Sequence, residues 1–134
     1  TITTFTGLIA VFLLMGFNNQ IHPVQEDIPY ADYKVTFIEL GSVRCIPCQK
    51  MQQVMNSVEK KYGDQVNIIF YDVWTPEGKP FAEKYKIDLI PTQVLFNSKG
   101  EEFYRHEGYF PLEELKKVLK QEGVVSKNKR NDSQ

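Results

Sequence analysis

Residues 35–51 read VTFIELGSVRCIPCQKM, and the fold turns on how this stretch divides. Val35 to Leu40 is a short, mostly apolar, β-branched run closed by Gly41-Ser42, the pattern of a buried strand. From Cys45 onward the spacing changes. Met51, Val54, Met55, Val58 and Tyr62 recur at steps of three or four, the apolar stripe of one helix, with Gly63 as its stop signal. The two cysteines of Cys45-Ile46-Pro47-Cys48 therefore lie where a strand ends and a long helix begins.

Reading outward, Val66 to Val73 is a second apolar strand, and Pro80 to Tyr85 a short helix after a loop holding Pro76 and Gly78. Thr92 to Phe96 is a third strand, Asn97-Ser98-Lys99-Gly100 a hairpin turn, and Glu102 to His106 a fourth strand. Pro111 opens a last helix in which Leu112, Leu115, Val118 and Leu119 share a face. The order β-α-β-α-β-β-α requires a parallel crossover first, right-handed by default, and an antiparallel hairpin last. The class predicted is α/β, a central mixed β-sheet flanked by helices.

The position of the cysteine pair sets its chemistry. A helix N-terminus presents unpaired N–H groups and the positive end of the macrodipole, and so favours a thiolate. Cys45 is expected there, partly exposed and nucleophilic, with Arg44 adding positive charge. Cys48, one turn deeper on the same face, is within reach for a disulfide. Pro47 costs little in a first turn, whose N–H groups lack intrahelical partners. Half of a zinc site is the competing reading, but zinc takes four ligands, and neither His22 nor His106 has metal-ligand spacing; no metal and no cofactor are expected. A purely structural bridge closing so small a loop would stabilise little. Thiol–disulfide exchange, with Cys45 attacking and Cys48 resolving, fits the placement.

The 134 residues amount to about one domain. With 42% hydrophobic and 25% charged residues the chain is neither collagen-like nor broadly disordered. Sixteen basic residues balance 17 acidic ones, which gives no electrostatic case for nucleic-acid binding. No charged residue precedes Glu26, and Phe5 to Phe17 is an apolar run with the length of a signal-peptide core, short of the roughly 20 residues a bilayer span needs. Residues 1–20 are expected to be a signal peptide or N-terminal membrane anchor, residues 28–124 one domain, and residues 125–134 a disordered polar tail. The domain is expected outside the cytoplasm, in the periplasm or on the exterior of the cell envelope.

The sequence resembles the thioredoxin superfamily from roughly Val35 to Gly123. The likeness is carried by Phe37-Ile38-Glu39-Leu40, by Cys45 to Met51, by Ile90-Pro91-Thr92 and by Gly108. Within the superfamily it looks like the exported, often membrane-tethered bacterial proteins. The resemblance implies that Pro91 is a cis-proline facing the two sulfurs, and that Ile90 offers backbone groups to a substrate strand. Glu39 falls on the family's buried acid, usually an Asp, which relays a proton to or from the second cysteine. Where relatives carry an aromatic before the first cysteine this chain has Arg44, and Ile46 replaces a small residue. The lysine that often accompanies the buried acid has no counterpart, Phe70 or Tyr71 lying near its place. Trp74 is expected either to flank the active site or to pack on the core as a loop aromatic, and recognition is expected around Trp74, Ile90 and Tyr109.

Pro47 stands where strongly oxidising relatives carry a histidine, as in the reducing thioredoxins. The implied activity is reduction of disulfides in exported proteins, with a membrane-embedded thiol transporter as electron donor and the protein a monomer. The alternatives are a dedicated thiol reductase in cytochrome or copper-site maturation, a disulfide isomerase or oxidant, and a binding module that uses the cis-proline groove without redox turnover.

Overall fold

The structure is a computed structural model that describes residues 26–126. The expected signal or anchor segment 1–20, His22 and nearly all of the polar tail lie outside the described residues. Strands β1 (Val35–Gly41), β2 (Val66–Asp72), β3 (Thr92–Asn97) and β4 (Glu102–Glu107) form one sheet in the order β2-β1-β3-β4. Helices α1 (Ile46–Tyr62), α2 (Lys79–Lys84) and α3 (Leu112–Gln121) connect and close it. β1 pairs with β2 in parallel through α1 and with β3 antiparallel, and β3 pairs antiparallel with β4. This is the α/β class read from the sequence.

β1 owes its central place to its composition. All seven of its residues are buried, with pairing on both edges and helices on both faces. Val35 and Phe37 face α1 and α3, packing with Met51, Val54, Met55, Val58, Leu115 and Leu119. Ile38 and Leu40 face the other way, into a smaller cluster with Val73, Tyr85 and Val94 against which Phe81 of α2 packs. Each fully buried side chain of this size contributes about 1.5–3 kcal/mol. The hairpin turns at Gly100, whose φ of +76° suits glycine, and Asn97 braces it by accepting the N–H groups of Lys99 and Glu101.

Boundaries moved slightly from the sequence reading. α1 begins at Ile46, because Cys45 is its N-cap, and α2 runs one residue earlier than expected. Both ends of the domain are tied down. The Glu26 carboxylate accepts the hydroxyls of Tyr71 and Tyr85 and pairs with Lys84, and it keeps only 7% of its side-chain surface. Val125, expected in the tail, donates its N–H to Gln65 Oε1 at 3.0 Å and accepts from Gln65 Nε2 at 2.7 Å. No helix among the described residues is long and apolar enough to cross a membrane.

Candidate active site

Cys45 and Cys48 are joined by a disulfide across the first turn of α1, with their α-carbons 5.2 Å apart. Cys45 has extended backbone, and its Sγ accepts the N–H of Cys48 at 3.4 Å. One of the helix's unpaired donors is thus aimed at the sulfur expected to become the nucleophile. Cys45 is less open than the sequence reading held: it is 7% exposed and Cys48 4%, because the first sulfur turns inward onto the second. Pro47 lies in the first turn of α1 and is exposed, with Ile46 beside it 70% exposed.

Asp72, at the end of β2, fixes the loop before the disulfide. Its carboxylate accepts the N–H of Val43 at 3.2 Å and that of Trp74 at 3.1 Å. Burial pushes this carboxyl up, but the Val43 and Trp74 amides, the Ser42 hydroxyl and the Arg44 guanidinium together hold it below its ordinary range. Arg44 thus has an anion beside it, and its guanidinium lies over the Trp74 ring, 5.8 Å from the centroid. Its positive charge is shared between Asp72 and that ring rather than directed wholly at Cys45. Asp72 was missed in the sequence; the available signal was an Asp at a strand end, two residues before an N–H it could accept.

The Ile90–Pro91 bond is cis and Pro91 is buried. Thr92 pairs with Leu40, and continuing that register by one residue brings Pro91 level with Gly41. Gly41 itself abuts Cys48: a Cβ on it would lie 3.2 Å from Cys48 Sγ. Pro91 and the buried sulfur thus approach the same glycine. Ile90 lies outside the β3 ladder and, with Arg44, Val73, Trp74 and Leu89, lines a groove of about 970 Å³. Trp74 is 52% exposed there rather than packed on the core. Tyr109 lines a separate depression with Lys50 and Leu112, so the expected recognition surface divides in two.

Glu39 points into the protein and has no exposed surface. It shares its strand face with Gly41, two residues on, and Gly41 abuts Cys48, so the carboxyl and the second cysteine lie on the same side of the sheet. Burial pushes its pKa up to about 8, moderated by the Gln93 amide, which donates to Oε1 at 3.4 Å. Phe70 is its register partner on β2, whereas Tyr71 faces the other way and stacks on Phe81. The place of the missing lysine is therefore filled by an aromatic ring. Gln93 was also missed in the sequence, where it reads as one polar residue within the apolar run TQVLF. Among the described residues no group of His, Cys, Asp or Glu side chains could hold a metal ion.

A mixed four-stranded sheet with a dithiol pair at the N-terminus of its first long helix, a cis-proline on the adjoining strand and a buried acid behind defines a protein of the thioredoxin fold. Residues 27–123 match the family model of the thioredoxin-like domain, and the chain belongs to that family. Thioredoxin Y of Oryza sativa chloroplasts is 29% identical over 82 residues, 61% of this chain and 47% of that protein. The SPbeta prophage-derived thioredoxin-like protein YosR of Bacillus subtilis is 31% identical over 85 residues, 62% of this chain and 96% of that one. The chain spans about half the length of the plant chloroplast thioredoxins it matches. Among solved structures, a mutant thioredoxin from Halobacterium salinarum superposes with a TM-score of 0.63 at 24% identity, covering 72% of this chain and 81% of its own, a likeness of fold.

Proposed function

We propose that this protein is a thiol–disulfide oxidoreductase that reduces disulfides of exported proteins through the Cys45/Cys48 dithiol. The observation that carries this reading is the disulfide across the first turn of α1, with Cys48 against Gly41 and the buried Glu39 on the same face of β1 two residues before that glycine. In the reduced protein the Cys45 thiolate, supported by the Cys48 N–H, attacks one sulfur of a substrate disulfide and the other leaves as a thiol. Cys48 then passes its proton to Glu39 and attacks Cys45 Sγ. The second substrate sulfur departs with the bonding pair and takes a proton. The substrate gains two electrons and two protons, and the protein is left as its disulfide.

Pro47 supports the reducing direction, since it supplies no cation to favour the dithiol form. The groove holding Trp74 and Ile90, which reaches Arg44 just before Cys45, suits an extended peptide, with Ile90 offering backbone groups ahead of β3. The apolar run Phe5 to Phe17 supports action outside the cytoplasm, either after export or on a membrane tether, with a membrane-embedded thiol transporter restoring the dithiol. The test is reduction of insulin by the full chain with dithiothreitol as electron donor. Wild type should run well above the uncatalysed rate and Cys45→Ser at that rate. A wild-type rate equal to that of Cys45→Ser contradicts the reading.

A further inference from the structure

We propose that Gln93 is a positioning residue for Glu39 in the exchange reaction and that His106 holds it in that role, so that an imidazole at the edge of the sheet acts on the buried acid through one amide. This rests on the oxidoreductase reading and adds to it the control of the resolving step. Gln93 and His106 face each other in the β3–β4 ladder, and Gln93 is completely buried. Its Nε2 lies 3.2 Å from the carbonyl oxygen of Gly108 and 3.4 Å from Glu39 Oε1. Both are acceptors, so the NH₂ group must face them. Its Oε1 then faces His106 Nδ1 at 2.9 Å, which must carry the hydrogen. Phe110 stacks on the imidazole, centroids 4.2 Å apart and planes within 10°, and holds its orientation.

Among the described residues, no other side chain donates a hydrogen bond to the Glu39 carboxyl. β2 contributes Phe70, α1 contributes Cys48 across Gly41, and Phe110 covers the imidazole. Arg105 and Glu107, on either side of His106, belong to the opposite face of β4, where Arg105 donates to the Tyr85 carbonyl. Glu39 Oε2 has no partner among the described residues. The Gln93 amide is thus the hydrogen bond that favours the ionised carboxyl against burial. Without it, Glu39 keeps its proton to higher pH and is a poorer acceptor for the Cys48 proton near neutrality.

Gln93→Met preserves volume and removes the donor, and His106→Phe preserves the ring on Phe110 and removes the Nδ1 hydrogen. On the full chain, the Glu39 carboxyl is titrated by carbon-13 NMR in the disulfide form, its signal assigned through Glu39→Gln. The resolving step is timed as the second release of thionitrobenzoate when reduced protein meets dithiobis(nitrobenzoate). Gln93→Met should raise both midpoints by about one pH unit, a roughly tenfold loss of ionised carboxyl and of resolving rate at pH 7. His106→Phe should move them the same way by less, and it decides the question alone if Gln93→Met does not fold. Midpoints that superimpose on wild type, even in variants of lowered melting temperature, overturn the proposal. The carboxyl titration reads the coupling independently of turnover. Failure of the oxidoreductase reading shows separately, as wild-type protein that gives no second release.

Discussion

Single side chains at this site divide the chemistry between two sulfurs and one carboxyl. Cys45 accepts a helix N–H and Cys48 abuts Gly41 on the face of β1 that carries the buried acid, so they are not interchangeable. Cys48→Ser should stall as a mixed disulfide on Cys45, visible as added mass without reductant, whereas Cys45→Ser should not; equal stalling of both contradicts the assignment. Glu39 makes a second prediction, on stability. Its pKa is raised by burial from 4.5 to about 8, so the folded chain retains a proton that the unfolded chain releases in between. The Glu39 contribution to stability is therefore fully present below pH 4.5 and is lost as pH rises towards 8, by at most about 5 kcal/mol. Glu39→Gln should unfold at the same urea concentration at pH 5 and pH 9, where wild type is weaker at pH 9. A wild type equally stable at both would refute the assigned burial cost. Glu39 could be found in the sequence through the resemblance, because it stands at the family's buried-acid position six residues before Cys45. Gln93 could not, because its partners come from β1, β4 and the loop after β4, and Asp72 left only the weak signal of an acid at a strand end.

Among the elements, α1 carries both the site and the larger core. Met51 is completely buried on its apolar stripe, and its sulfur accepts the N–H of Phe110 at 3.2 Å, linking α1 to the approach to α3. Met51→Ala should destabilise the fold by roughly 2–5 kcal/mol in chemical denaturation. A loss below 1 kcal/mol would show that the site collapses around the missing side chain. Gly41→Val places side-chain atoms where a Cβ already comes within 3.2 Å of Cys48 Sγ. It should cost about 1–3 kcal/mol and slow insulin reduction, and an unaffected rate would contradict the close approach. The sequence revealed α1 through its periodic apolar stripe, and β1 and β3 through short, mostly apolar runs. It revealed β4, which is largely exposed, only through the turn at Asn97–Gly100. The short 3-10 turn at Tyr30–Asp32 went unread because three residues establish no period.

Across the whole molecule, the two-sided sheet places the sulfurs, Pro91 and Glu39 around Gly41 at one end of β1. The sequence already held the acid, the cysteine pair and the proline in that order along the chain, each marked by the likeness to the thioredoxin superfamily. It did not show that Tyr109 faces a different depression from Trp74 and Ile90, or that Asp72 draws Arg44 towards the Trp74 loop, because both depend on how loops from separate elements meet. The central claim is that Cys45 and Cys48 form one reversible two-electron couple poised for reduction. Its most direct test is the equilibrium reduction potential of the full chain, read by thiol alkylation in graded redox buffers. Both cysteines should become alkylatable together, in a single reversible transition near the roughly −270 mV of reducing thioredoxins. A transition near the oxidising extreme, about −120 mV, would reverse the direction of electron flow, and the absence of any reversible transition would contradict the redox function itself.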